Sequence, residues 1–383
     1  MRARQGVWRR CGSAFLLALA AGSMALGMAS PAEAQLAWRD FVISGGIATE
    51  GYQGNLEAAA VTVRDSADLA SAVVGEFAVR GDLVAGLGEG RRARLAFDGG
   101  VRQYSARGFE LRDYAPREWA GTMDLSLTQA IGQAAAVAGW VRVRGREVED
   151  RPPMPLFLQA GYRSALGGLR AELQPGEHRW DLEVRGEFTD FLAPAFAPQV
   201  RILDRRTAGA ELGLRPGWDR DGSFRFHVGG TFAHYPEQET FLAEDPFRRD
   251  RVVHGGVSWS RESEVFTQVA LEARANRSNS RRPEYDAATL RAIASTAVGL
   301  DLSVTGYLAL TAKRYRFTTD AVRLIPGEEA NSATQAYIGL SRGLARNLDA
   351  SARVGWVRAE SEIGGQYFQR FGGTMLLNYR PGF

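Results

Sequence analysis

Residues 369–383 read QRFGGTMLLNYRPGF, and the reading of this stretch decides the fold. Apolar or aromatic residues recur at every second position: Phe371, Met375, Leu377, Tyr379 and finally Phe383. Between them stand Arg370, Thr374, Asn378 and Arg380. A period of two is a strand with one apolar and one polar face. In a soluble chain such a strand would leave an exposed edge that invites pairing with other chains. Pairing it with the first strand of the same chain removes the edge, and the apolar face then needs an apolar solvent. A closed barrel in a lipid bilayer meets both conditions.

Outward from this strand, the same pattern recurs from about residue 38 onward. Leu95, Phe97 and Val101 oppose Arg94, Asp98 and Arg102, and Trp119, Met123, Leu125 and Leu127 oppose Thr122, Asp124, Ser126 and Thr128. The clearest run is 179–191, where Trp180, Leu182, Val184 and Phe188 oppose Arg179, Asp181, Glu183, Arg185 and Glu187. Val137, Val141 and Val143 oppose Trp140, Arg142, Arg144 and Arg146; Phe224, Phe226, Val228 and Phe232 oppose Arg225, His227 and Thr231. The facing of 303–318 is ambiguous. At 155–174 the apolar parity slips across Gly167-Gly168, which predicts either a bulge within one strand or a turn that splits it.

Connection lengths alternate as well. Tight turns fall at Gly132-Gln133, at 219–222 (DRDG), near Ser263 and around Asn347. Longer polar loops fall between them, at 106–117, 149–154, 192–203, 236–250 and 319–332. Short turns at one end and long loops at the other belong to bacterial membrane barrels. The expectation is an all-β chain forming a single transmembrane antiparallel up-and-down β-barrel of about 16 strands, with 14 to 18 compatible with the pattern. Trp119, Trp180, Trp259, Tyr235 and Tyr307, near run ends, suit interfacial aromatic girdles.

The amino terminus reads as an export signal. MRARQGVWRR is basic, Ala14–Ala29 is apolar and shorter than the ~20 residues of a spanning helix, and Ala32-Glu33-Ala34 ends in small residues before Gln35. Residues 1–34 are therefore expected to be removed, with cleavage between Ala34 and Gln35, leaving 35–383 as the barrel. The net charge of +3 resides in this segment, where Arg2, Arg4, Arg9 and Arg10 face one acid, Glu33. The remainder is formally neutral and gives no reason to expect a nucleic-acid partner.

Composition bounds the chemistry. The single cysteine, Cys11, precedes the apolar run, so the mature chain offers no disulfide, thiol nucleophile or thiolate metal site, and a lipoprotein is not expected. His178, His227, His234 and His254 show no metal-ligand spacing, and neither a Gly-x-Ser-x-Gly elbow nor a phosphate loop is present. GLGEG at Gly86–Gly90 has no helix after it and reads as a hairpin turn. No metal, cofactor or catalytic set is expected; His227, His254 and Ser258 are a constellation that could meet across neighbouring strands, and polar lumen residues are the better-supported reading of them.

Charge on the polar faces gives the candidate pore-lining residues: Arg142, Arg144, Arg146, Arg179, Asp181, Glu183, Arg185, Arg225 and His227. Arg142, Arg144 and Arg146 form an anion-favouring patch if their forks are free. The presence of both signs on these faces favours the other reading, that they pair with Glu or Asp across the wall.

The terminal residues Phe383, Tyr379, Leu377 and Met375 resemble the carboxy-terminal assembly signal of Gram-negative outer-membrane β-barrels, with Pro381 departing from the usual aromatic position. Over most of 35–383 the chain resembles the uncharacterised porin-like barrels of such bacteria, some of which accompany exopolysaccharide export. The resemblance implies outer-membrane location, with the barrel assembly machinery and outer-membrane lipid as partners; a few outer-membrane barrels are hydrolases or proteases, but the scarcity of candidate catalytic residues leads to the expectation of no enzymatic activity. A 16-stranded barrel is wide enough for an aqueous channel, so passive diffusion of small polar solutes or ions is the expected function. Export of exopolysaccharide and a non-conducting structural or surface-binding barrel are the alternatives. Oligomeric state is not legible.

Overall fold

The computed structural model describes residues 35–54, 70–107, 115–150, 161–192, 201, 203–217, 222–240, 244, 246–280, 284–299, 301–316, 334–360 and 367–382. The expected signal segment 1–34, with Ala32 and Ala34, lies outside them, as does Phe383 of the assembly signal.

Sixteen strands follow one another in chain order. The first eight are β1 (Gln35–Gly54), β2 (Ala70–Gly86), β3 (Arg91–Arg107), β4 (Arg117–Ile131), β5 (Ala135–Glu149), β6 (Gly161–Leu173), β7 (Arg179–Leu192) and β8 (Arg205–Arg215). The others are β9 (Ser223–Glu239), β10 (Phe247–Arg261), β11 (Val265–Ser278), β12 (Tyr285–Ala297), β13 (Leu302–Tyr315), β14 (Thr334–Ala345), β15 (Leu348–Glu360) and β16 (Tyr367–Tyr379). Each pairs antiparallel with its neighbours, and β1 closes on β16. Ile43 lies opposite Tyr379 and Gly51 opposite Phe371, so the terminal strand is paired on both sides and no edge remains.

The two ends of the barrel differ. One carries the short connections 87–90, 132–134, 174–178, 216–222, 262–264, 298–301 and 346–347, together with the start of β1 and the end of β16. The other carries the longer ones, among them 55–69, 193–204 and 316–333. The GLGEG segment is a hairpin turn whose Gly88 and Gly90 adopt φ of 75° and 73°, a region that costs a residue with Cβ 1–2 kcal/mol or more.

Facing follows the sequence alternation. On β7, Trp180, Leu182, Val184 and Phe188 are 38%, 49%, 45% and 43% exposed, whereas Asp181 and Glu183 are buried. On the terminal strand Phe371, Met375, Leu377 and Tyr379 are likewise exposed. A chain with its large apolar residues outside and its carboxylates inside is inverted relative to a soluble core. It is stable where the outer surface meets hydrocarbon and the inner groups pair with one another.

Three expectations are corrected. Strand β6 runs through Gly167 and Gly168 in unbroken register with β5 and β7, with neither bulge nor turn. The parity slips because Tyr162 and Leu166 share the inward parity of Arg170 and Glu172, an apolar intrusion on the interior face. The residues before Gly161 in that run, including Leu156 and Leu158, lie outside the described set. The polar stretch expected at 236–250 is strand at both ends, because β9 and β10 continue to Glu239 and from Phe247. Finally, Tyr235 and Tyr307 face inward rather than joining a girdle. Tyr235 is buried against Arg248, its ring centroid 4.1 Å from the guanidinium carbon, and Tyr307 stacks on Tyr337 at 5.0 Å. Trp119 and Trp180 are exposed on the outer face as expected. The ambiguous strand β13 is also settled: Ser303, Thr305, Tyr307, Ala309, Thr311 and Lys313 share the inward parity.

Candidate functional site

The inner surface carries ion pairs that run around the wall, between residues directly opposite, diagonal across strands or two apart on one strand. On β5, all three arginines of the expected anion patch face inward and each meets an acid. Arg142 donates to Asp124, Arg144 to Glu187 at 2.6 Å, and the Arg146 Nε lies 3.0 Å from Glu118. Pairing across the wall is what the mixed charge of these faces favoured.

Other expected lumen residues join similar pairs. Arg179 donates to Glu172, Arg170 and Arg185 both reach Glu183, and Arg225 sits between Asp181 at 2.8 Å and Glu211 at 2.9 Å. The second oxygen of Glu211 lies 3.3 Å from His254 Nε2, and the rings of His227 and His254 are 6.1 Å apart. Thus the structure brings His227 and His254 together beside a carboxylate. Ser258 stands four residues further along, opposite Arg225 in the register.

Several of these contacts span an intervening strand, and small residues make that reach feasible. Arg225 on β9 crosses β8 to meet Asp181 on β7 at Gly213, where a Cβ would stand 2.5 Å from both Asp181 oxygens. His254 on β10 crosses β9 to Glu211 on β8 at Gly229, where a Cβ would stand 2.8 Å from the imidazole. Arg144 crosses β6 at Ser164, whose hydroxyl donates to the same Glu187 oxygen at 2.8 Å. Alternation on a single strand cannot reveal such contacts, because they depend on a third strand.

A cavity of about 950 Å³ opens among these residues, bounded by Asp124, Arg142, Glu183, Arg205, His254 and Glu272 among others. Of its cations, Arg205 has no acidic partner among the described residues. The wall is not uniform. Near the loop end of β1–β4, Ala48, Tyr52, Val74 and Tyr104 are buried around Arg102, which bonds Glu50 and Glu76. From β12 to β14 the inward face is instead rich in hydroxyls. Thr289 and Thr311 are 3.1 Å apart, Ser295 and Thr305 2.9 Å, and Gln335 donates to the Tyr307 hydroxyl at 3.2 Å. Among the described residues no cluster of three or more His, Cys, Asp or Glu has the geometry to hold a metal ion.

The chain folds as a β-barrel of the outer-membrane type. Closure of sixteen antiparallel strands, an apolar outer band, a charged interior and unequal ends carry that statement. No protein-family model matches the chain, and no curated protein matches it. Solved structures similar to it include a bacterial polysaccharide outer membrane secretin, at 10% identity over 89% of this chain and 98% of that one, with a TM-score of 0.42. Pseudomonas aeruginosa OccK2 (OpdF), solved in complex with glucuronate, has 10% identity, 89% and 97% coverage and a TM-score of 0.42. Pseudomonas aeruginosa OccK7 (OpdD) has 9% identity, 91% and 99% coverage and a TM-score of 0.44. At these identities and TM-scores the likenesses carry no argument about what this outer-membrane barrel transports or binds.

Proposed function

We propose that the protein is a porin-like outer-membrane channel for passive diffusion of small polar solutes or ions, exported with residues 1–34 removed. One observation carries the reading: the cavity of about 950 Å³ inside the barrel is walled mainly by charged and hydroxyl side chains, with apolar ones such as Leu125, Leu166 and Val252 in the minority. A lumen built only for rigidity gains more from apolar packing than from buried ion pairs, whose desolvation cost offsets much of their attraction. Charged walls instead suit a water-filled path, in which permeating ions and polar solutes keep hydrogen-bonding partners.

The buried residues near β1–β4 favour a second reading, a non-conducting structural or surface-binding barrel, because Ala48, Val74 and Tyr104 take up interior space at the loop end. Refolded protein inserted into planar bilayers separates the two. Discrete single-channel steps are expected; a folded, inserted barrel with no conductance would leave the second reading.

A further inference from the structure

The outward face of β8–β13 breaks the apolar band with a belt of cations at the loop end. Arg206 lies opposite His234 across β8 and β9, and His234 lies opposite Arg249 on β10. Two residues further along β10, Arg251 is directly opposite Arg277 of β11. Arg314 on β13 lies opposite Asp286 on β12 and continues the belt. Arg206, Arg249, Arg251 and Arg314 are exposed. Arg277 is held by Asp286 at 2.6 Å, while Arg206 and Arg251 have no acidic partner among the described residues. A groove of about 590 Å³ runs between them, lined by Arg206, Phe232, His234, Arg249, Arg251 and Arg277.

Asp286 already neutralises Arg277, which leaves Arg206 and Arg251 as cations of the belt without a carboxylate beside them among the described residues. Arginine forks bind phosphate oxygens with two parallel bonds. Phe232, level with Arg251, and Val253, two residues below it on β10, are 63% and 59% exposed at the edge of the band that meets hydrocarbon. The cations therefore sit where a lipid headgroup joins its acyl chains, and a water-soluble anion would gain nothing from the apolar floor. At the same end, outward arginines elsewhere, Arg117 on β4, Arg163 on β6 and Arg358 on β15, each have an acid or amide directly opposite, in Glu149, Asp190 and Gln369.

We propose that this belt is a binding site for the phosphate headgroup of an outer-leaflet lipid, with Arg206, Arg249 and Arg251 as its main contacts. The site rests on the loop end facing the outer leaflet and is independent of whether the lumen conducts. The test is native mass spectrometry of the delipidated barrel in non-ionic detergent, titrated with dioleoyl phosphatidic acid, with dioleoylglycerol, and with inorganic phosphate. Phosphatidic acid is expected to bind at least about tenfold more tightly than either control. Arg206→Gln/Arg249→Gln/Arg251→Gln should weaken it on the order of 100-fold, at about a kcal/mol per cation near an anionic headgroup. Arg342→Gln, outward but at the opposite end, should leave it unchanged. Should the triple variant not fold, Arg251→Gln alone is expected to weaken binding by several-fold. Equal binding of the two lipids, equal binding of inorganic phosphate, or variants that bind like the parent would overturn the proposal.

Discussion

At the scale of single residues, pairing rather than charge count sets what each arginine contributes. Arg142, Arg144 and Arg146 are matched by Asp124, Glu187 and Glu118, so the three pairs add little net field to the lumen. Replacing the arginines alone would expose three carboxylates and drive the lumen toward cations whatever their role, which makes that variant uninformative. A charge-neutral replacement is informative. Arg142→Gln/Asp124→Asn should leave the reversal potential in a salt gradient unchanged. Arg205 lines the cavity without an acidic partner and lies within a Debye length, about 8–10 Å, of ions crossing it. Arg205→Gln alone should therefore move the reversal potential toward cation preference, more strongly at low salt. Equal effects from the two variants would show that pairing does not govern selectivity. The sequence places these charges on polar strand faces but does not name their partners. Gly213 and Gly229 look like ordinary strand glycines until the register places them beneath Arg225 and His254.

Elements are the scale at which the sequence is most legible. On β7 and β16 the alternation assigns every face correctly, because a period of two survives any change in neighbour. On β6 it misleads, because Tyr162 and Leu166 are apolar residues on an interior face. The parity then resembles an irregularity that the continuous register with β5 and β7 does not contain. Assignment of faces has a mutational consequence. Arg introduced at Val184, outward and near the middle of β7, should cost roughly 2–4 kcal/mol and reduce the folded fraction, and Arg at Phe226, outward but nearer the short-turn rim, should cost a smaller part of that. Arg at Thr231, which faces the interior on the same strand as Phe226, should be tolerated. The check is urea unfolding in lipid vesicles followed by tryptophan fluorescence; similar losses at Phe226 and Thr231 would contradict the facing.

For the whole molecule, closure of β1 on β16 brings both ends of the barrel strand order to the rim that carries the short turns. A chain threaded across the inner membrane and assembled from the periplasm would leave its termini and short turns on that side, with the long loops outward. On that route the cation belt of β8–β13 would lie at the outer leaflet, and the direction of insertion is a testable property. The proposed export signal adds a covalent marker to the same route. Mature protein recovered from outer-membrane fractions should begin at Gln35, and a protease added to intact cells should cut only within the connections at the long-loop rim, such as 55–69 or 316–333. Protein retained at the inner membrane with residues 1–34 attached would refute the export route. Cleavage from outside within the short connections would refute the orientation while leaving the barrel itself intact.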